Sequence, residues 1–336
     1  MKILITGGLG YIGSHLAVKL LQKKYDITII DNLENSKIDI IKKIKKITGK
    51  KVKFHKIDLL DKKKLFSLFK KNKFDTVFHL AGLKSVKESE INPEKYLQGN
   101  ISTSINLLDA MIKFNVREIV YSSSATVYGE QKENVYHERM KTNPTNFYGF
   151  TKKAIEDLLI ELNTKKMIKY VILRYFNPAG CHKSGLLGDE PNGTANNLFP
   201  FILQLIKGKH KKLKIYGSNF KTKDGTGARD YIHIVDLALA HTSALNKNEL
   251  NNFEILNIGG GIGTTVLELV SKFEEISGIP IKFKYLPRRE GDLAAFWANS
   301  SKVSEKMCWK PEKNIKKICE DTWRWHKHNP IGYGIE

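Results

Sequence analysis

A strand-like run, Lys2–Thr6, leads directly into glycines spaced three apart, Gly7, Gly10 and Gly13, and from there into a helical pattern. No other feature of the chain leaves it so little freedom. Residues without side chains let the backbone turn tightly and come close to a bound group. The helix that opens there presents unpaired N–H donors and the positive end of its dipole, which suits a pyrophosphate. A glycine pattern alone is a weak signal. It gains weight from a strand before it, a helix after it, and an acidic residue ending the next strand. Asp31 meets the last condition, eighteen positions after Gly13. A carboxylate there accepts hydrogen bonds from ribose hydroxyls and repels a 2′-phosphate. No arginine stands beside it and Asn32 follows, so NAD is favoured over NADP. Expected cofactor contacts are Gly7, Gly10, Tyr11, Ile12, Gly13, Asp31 and Asn32. Asp58 ends a later strand-like run with Leu59 beside it, where it meets either an adenine edge or a helix N-terminus. A second run, Gly259-Gly260-Gly261-Ile262-Gly263, has no acidic residue at the right distance and reads as a tight turn.

The rest of the first half repeats the strand–helix alternation. Strands are expected at Lys2–Thr6, 26–30, 53–57, 76–80, 118–122 and 170–174. Continuous apolar runs such as Ile27-Thr28-Ile29-Ile30 suit strands buried on both faces. The pattern predicts an α/β fold with a doubly wound parallel sheet. Beyond Arg174 the regularity fades and loops dominate residues 177–200. A strand at 254–258, a helix at 264–277 and an amphipathic stretch at 315–325 follow. We expect a dinucleotide-binding domain over 1–175, with residues from about 232–260 returning to it. The remainder, 176–336, is expected to form mainly a smaller substrate-binding region.

Composition narrows the class. The three cysteines, Cys181, Cys308 and Cys319, are scattered and lack metal-site spacing, which fits a reducing compartment and no metal. No apolar stretch of about 18 residues is present, so no membrane span is expected. A strand beginning at Lys2 leaves no room for a signal peptide, and the expected location is cytoplasmic. The net charge is +21. Seven arginines against 49 lysines, spread along the chain, fit a lysine-rich composition with solvated helix faces better than a nucleic-acid site.

A second constellation carries chemistry. The expected strand at 118–122 runs into Ser122-Ser123-Ser124-Ala125-Thr126, and further on stand Tyr148 and Lys152, four apart on one helix face. A phenol has a solution pKa of about 10, and a nearby cation favours its phenolate. With 13 tyrosines and 49 lysines, about two Tyr-x-x-x-Lys pairs arise by chance. Two occur, Tyr128/Lys132 and Tyr148/Lys152. The second is set apart by Ser124, 24 residues before it at the C-terminal end of a sheet strand, the edge where ligands bind in such folds.

Together, Gly7, Gly10, Gly13, Asp31, Ser124, Tyr148 and Lys152 resemble the extended short-chain dehydrogenase/reductase family, over nearly the whole chain. Its UDP-hexose 4-epimerase branch is matched by several stretches. They are Asp31-Asn32-Leu33, Ala81-Gly82-Leu83-Lys84-Ser85-Val86, Arg174-Tyr175-Phe176-Asn177-Pro178, the run 224–233 and the run 287–292. The resemblance implies a Rossmann-type sheet with a smaller C-terminal substrate-binding region. It implies NAD held through the cycle and interconversion of UDP-glucose and UDP-galactose. Oxidation at C4 gives a 4-keto sugar, which turns over and is reduced on its other face. Tyr148 is implied as the base, Ser124 as the group that orients the hydroxyl, and Lys152 as the residue that holds the nicotinamide ribose and lowers the Tyr148 pKa. Leu80, Ala81, Gly82, Lys84, Asn100 and Phe176 are implied around the cofactor. Asn177, Asn197, Leu198, Tyr216, Arg229, Arg289, Asp292 and Phe296 are implied around the UDP-sugar. A homodimer pairing residues 93–114 and 147–163 is implied as well.

The chain departs from the family pattern at three places. Gly99 stands where Asn is common, with Asn100 next to it as a substitute. Thr151 replaces a Ser. Phe296 keeps a bulky pocket wall, which favours the plain hexoses over N-acetylated ones. His79 and His233 read as structural. Rival readings are a sugar-nucleotide 4,6-dehydratase, disfavoured because Ala125-Thr126 carries no carboxylate, a 4-epimerase of UDP-N-acetylglucosamine or UDP-glucuronate, and a non-catalytic NAD-binding protein.

Overall fold

The computed structural model describes residues 1–193, 195, 197–245, 253–289 and 291–333. Residues 246–252 of the expected return segment, Glu290 in the 287–292 stretch and the last three residues lie outside the described residues.

Seven strands build the main sheet: β1 (Lys2–Thr6), β2 (Asp26–Asp31), β3 (Lys53–Lys56), β4 (Thr76–His79), β5 (Glu118–Ser124), β6 (Lys169–Tyr175) and β7 (Phe253–Ile258). They lie in the order β3-β2-β1-β4-β5-β6-β7, and every neighbouring pair is parallel. Alternation along each strand sends side chains to two separate cores. Ile3, Ile5, Ile27 and Ile29 pack with helices α1 (Tyr11–Gln22), α2 (Ile40–Thr48) and α6 (Ile234–Ser243). Leu4, Ile30, Val77, Ile119 and Tyr121 pack with α3 (Lys62–Lys71), α4 (Thr103–Lys113) and α5 (Phe147–Thr164) on the other face. The sheet is therefore doubly wound, as the apolar runs predict. The strand order reverses between β1 and β4, and the crevice beyond their C-terminal ends is where such sheets bind ligands.

β5 and β6 run further than expected. Their ladder continues from Ser122↔Leu173 to Ser124↔Tyr175, so Ser124 is the last paired residue of β5. α6 has no clear counterpart in the sequence reading. Nearly every residue on it is buried, so it lacks the polar face that marks an amphipathic helix. β7 follows it in the chain and adds to the edge of the sheet beside β6.

Beyond the sheet edge, Ala228–His233 pairs with Gly263–Thr265, Ala295–Ala298 and Asn177–Ala179. Leu213–Tyr216 pairs with Phe283–Leu286. A third apolar cluster forms under these strands, with Tyr128, Tyr136, Phe176 and Ala298 buried and Phe296 packed against them. No helix among the described residues is long and apolar enough to cross a membrane.

Candidate active site

The N-terminus of α5 is tied down donor by donor. A helix start leaves its first N–H groups without partners inside the helix. Here Phe147 N–H donates to Glu90 Oε1 (2.6 Å), Tyr148 N–H to Ser89 Oγ (3.0 Å) and Gly149 N–H to Asn146 Oδ1 (2.8 Å). Three side chains thus hold the first turn, and Tyr148 sits in it. Glu90, Ser89 and Asn146 were not picked from the sequence. Asn146 alone carried a local signal, as a capping residue type placed before a helix.

The Tyr148 phenol is half-buried beside the Ser124 side chain. Ser124 Oγ accepts from Thr126 N–H (3.3 Å) and from the Thr126 hydroxyl (3.0 Å). One turn along α5, Lys152 Nζ donates to the Ser122 carbonyl (2.8 Å) and lies 5.9 Å from the Tyr148 ring centre and 5.1 Å from that of Tyr121. Burial pushes the Tyr148 phenol up to about 12, and the neighbouring Ser124 hydroxyl works against it. Burial brings the Lys152 ammonium down to about 8, opposed by the charge of Glu156. The phenol thus faces Ser124, with Lys152 one turn away. The chance pair Tyr128/Lys132 stands elsewhere: the Tyr128 hydroxyl is committed to Asn257 Oδ1 (2.7 Å).

Glu156, one turn beyond Lys152, accepts from Ser123 Oγ (2.5 Å) and twice from Arg174 (2.6 and 3.0 Å), all in the core. This ion pair bolts α5 to β5 and β6. Its spacing from Tyr148 and Lys152 put it on the same helix face, but nothing in the sequence indicated its partner on β6.

The cofactor candidates gather around the β1–β4 crevice. Gly7 has φ +66°, and a Cβ there would stand 2.8 Å from the Ala81 backbone. A Cβ on Gly13 would stand 2.6 Å from Gly8 Cα. The turn is therefore too tight for side chains at either place. Asp31, at the end of β2, reaches into the turn: Oδ2 accepts from Leu9 N–H (3.0 Å), and Oδ1 accepts from Leu33 N–H (2.9 Å) and Ser36 Oγ (2.8 Å). Asn32 Nδ2 donates to Asp58 Oδ2 (3.0 Å), so these two residues form one edge. Asp58 also accepts from Leu60 N–H, while the helix cap role falls to Asp61. The Leu59 side chain lies in the core. Tyr11 turns its hydroxyl to the Gly180 carbonyl (2.5 Å), and Ile12 packs on the core, leaving their backbone at the helix start. Gly10 N–H donates to the Gly7 carbonyl, closing the turn.

Across the crevice, Leu80 N–H donates to the Thr6 carbonyl and Ala81 N–H to the Thr6 hydroxyl. Gly82 passes close to Asn100: a Cβ there would meet Asn100 Oδ1 at 3.1 Å and Lys152 Nζ at 3.7 Å. Asn100 rides on a π-helical turn, Leu97–Ser102, a wide coil found at functional sites. It accepts from Leu83 N–H (2.7 Å) and donates to Thr151 Oγ1 (3.0 Å), joining the loop after β4 to α5. Asn100, the neighbour that stands in for the Asn missing at Gly99, thus meets Thr151, the residue that replaces a Ser. Lys84 Nζ lies 3.6 Å from Asp189.

On the other side, Arg229 and Phe296 stand opposite in paired strands, with the Arg229 guanidinium carbon 5.0 Å from the Phe296 ring centre. Asp292 accepts from Arg289 (2.8 and 3.0 Å) and from Arg229 (3.4 Å), so it holds both cations together. The Arg289 guanidinium lies 4.7 Å from the Tyr216 ring centre. Phe296 stacks on Tyr136 (5.4 Å) and borders Phe176 (5.9 Å). Asn177 lies in the strand beside Tyr231. Asn197 is exposed at the start of the helix Leu198–Ile206, whose first residue, Leu198, packs on the core.

The second glycine run wraps a carboxylate of the chain itself. Gly260 N–H (2.5 Å), Gly261 N–H (3.0 Å) and Ala298 N–H (2.9 Å) donate to buried Asp230, whose carboxyl burial pushes up to about 6. His79 bridges Thr6 and Ser104 (both 2.8 Å), and His233 faces Asp321 (3.2 Å) while capping α6. Both are satisfied inside the fold. No cluster of His, Cys, Asp and Glu among the described residues is arranged to hold a metal ion.

A family model described as GDP-mannose 4,6 dehydratase matches residues 4–322. The UDP-glucose 4-epimerase of Bacillus subtilis is 44% identical, and the match covers 99% of each chain. Two solved structures superpose with a TM-score of 0.95. One is UDP-glucose 4-epimerase of Stenotrophomonas maltophila with bound NAD and formylated UDP-arabinopyranose, 40% identical over 98% of this chain and 99% of that one. The other is the Bifidobacterium longum enzyme in complex with NAD+ and UDP, 39% identical over 99% and 100%.

Proposed function

Because the chain belongs to the UDP-glucose 4-epimerases of the extended short-chain dehydrogenase/reductase family, we propose that Ser124, Tyr148 and Lys152 carry its chemistry at C4 of a UDP-hexose. The activity is the NAD-dependent interconversion of UDP-glucose and UDP-galactose. The observation that carries the residue assignment is the approach of the Tyr148 phenol to Ser124 at the C-terminal end of β5, with Lys152 one helical turn away and 5.9 Å from the phenol ring centre.

The protein fits the cofactor. The glycine turn has no room for side chains, the N-terminus of α1 opens beside it, and the Asp31 carboxylate at the end of β2 reaches into the turn, where it would meet a ribose. Gly7, Gly10, Gly13, Asp31, Asn32 and Asp58 would hold the adenosine half, with Ala81, Gly82, Lys84, Asn100, Lys152 and Phe176 toward the nicotinamide. When bound, NAD takes the hydride from C4 and returns it, and its cationic ring favours a phenolate nearby.

Tyr148 then acts on the proton of the 4-hydroxyl, taking it during oxidation and giving it back during reduction. Ser124 donates to the reacting oxygen or to the phenolate and keeps both in line. Arg229 and Arg289, oriented by Asp292, suit the diphosphate, since guanidinium donors match phosphate oxygens in pairs. Anchoring the molecule there leaves the hexose as the part that turns over. The absence of a carboxylate at Ala125 and Thr126 supports epimerisation over loss of water, which needs an acid and a base beside the strand-end hydroxyl.

Phe296, braced by Tyr136 and Phe176, makes a bulky wall that supports a preference for the plain hexoses. Purified protein incubated with UDP-galactose and no added cofactor should form UDP-glucose, with a higher kcat/KM than for the N-acetylated pair. A higher value for the N-acetylated pair would reverse the sugar assignment, and no conversion of either pair would reject the function.

Exposed apolar residues Leu97, Ile105 and Phe150 lie on the segments 93–114 and 147–163, which supports a homodimer through these helices. Cys181 and Cys319 are buried thiols outside any disulfide, which supports a reducing, cytoplasmic location.

A further inference from the structure

The loop after β2 carries Asp31 and is pinned from far along the chain. Asp31 Oδ1 holds Ser36 Oγ (2.8 Å), and Lys37 follows at once. Lys37 Nζ lies 3.5 Å from Glu190 Oε2 and donates to the Tyr333 carbonyl (3.0 Å). Tyr333 N–H donates to the same Glu190 oxygen (2.6 Å), and Lys207 Nζ stands 4.0 Å from the other one. Tyr333 is itself anchored, since its hydroxyl accepts from Gly188 N–H (2.6 Å) and donates to the Gly188 carbonyl (3.0 Å). Two neighbours of Glu190 reach the same crevice. Asn192 Nδ2 donates to the Glu34 carbonyl (2.9 Å), and Asp189 pairs with Lys84 in the loop after β4 (3.6 Å). One short acidic segment, 189–192, thus spans from the loop after β2 to the loop after β4, the two loops that flank the glycine turn.

Building on the dinucleotide reading above, we propose that Glu190 is a positioning residue that latches the Asp31 loop through Lys37 and the C-terminal segment, and so slows the exit of the adenosine half of the cofactor. The reaction takes a hydride and returns it to the same molecule, so turnover never requires the cofactor to leave. A latch costs such an enzyme nothing in rate. No single exposed ion pair is worth much. Here several ties converge on one loop, and the loop must open for the dinucleotide to depart. Glu190 joins the two ends of this arrangement because one of its oxygens faces both Lys37 and the tail.

The test uses the full-length protein purified with its nucleotide. Bound NAD is measured after denaturation, and exchange is followed with radiolabelled NAD in the parent, Glu190→Gln, Lys37→Met and the double variant. Each single variant should exchange NAD roughly fivefold faster, the scale of one lost ion pair. The double variant should be no faster than the singles. Raising salt should speed exchange in the parent and do so less in Glu190→Gln, because screening weakens the same contact. UDP affinity by calorimetry should stay within twofold, which general loosening of the fold would not allow. Lys37 is exposed, so Lys37→Met tests the latch even if Glu190→Gln folds poorly. Unchanged exchange in Lys37→Met, with NAD present in the parent, overturns the latch and leaves the epimerase reading intact. A parent that binds no NAD overturns both.

Discussion

At the scale of single residues, the site poses a problem of proton affinity. Burial sets the Tyr148 phenol at about 12, so the folded chain keeps it protonated near neutral pH. Every donor or cation brought near it shifts it toward the phenolate that C4 oxidation needs. Ser124 stands beside the phenol, and Lys152 brings a charge to 5.9 Å from its ring centre. Tyr148→Phe should lower kcat by roughly 100- to 10,000-fold, the usual worth of a positioned acid–base group, while NAD stays bound. Lys152→Met removes a cation and raises the Tyr148 pKa further, so the acidic limb of the kcat–pH profile should move to higher pH. An unmoved limb would show that Lys152 only holds the cofactor. Residue types and spacing singled out Ser124, Tyr148 and Lys152 in the sequence, because the proposed chemistry calls for a hydroxyl, a phenol and a cation at one sheet edge, and the fold brings these three together there. Thr126, whose hydroxyl meets Ser124, carried no such signal, since threonine two residues away is commonplace.

Among the elements, α5 matters most, and what fixes it is spread over the chain. Its first turn is held by Ser89, Glu90 and Asn146, and its middle by the buried Glu156–Arg174 pair. Removing one partner of a buried pair leaves an uncompensated charge. Arg174→Met should therefore cost about 3–5 kcal/mol in urea unfolding, well above a surface substitution. A loss under about 1 kcal/mol would mean that Glu156 finds other partners at little cost. The strands were easy to read because parallel strands buried on both faces are apolar throughout, as in Ile27–Ile30. α6 and Ala228–His233 were harder. α6 is buried nearly all round and shows little amphipathic contrast, and Ala228–His233 was seen only as part of a family motif. The π turn at Asn100 was invisible for another reason: a single extra residue in a helix leaves no periodic trace.

For the whole molecule, the strand order opens a crevice between β1 and β4, where the proposed cofactor site lies, and leaves one flank of helices exposed. Leu97, Ile105 and Phe150 make that flank apolar, and light scattering should give twice the mass of the 38.3 kDa chain. Phe150→Asp should shift it toward the single-chain mass, and an unshifted mass would point to another interface. The net charge of +21 remains a property of the surface, where a positive field attracts anionic nucleotides from a distance.

The claim on which the rest depends is that the C4 hydrogen leaves as a hydride and returns to the same sugar while Tyr148 handles only the hydroxyl proton. UDP-galactose deuterated at C4, incubated with the enzyme in ordinary water, tests this by mass spectrometry and NMR of the UDP-glucose formed. The label should remain at C4 of the product. Its loss to solvent would mean that the carbon gives up a proton, and it would contradict the account.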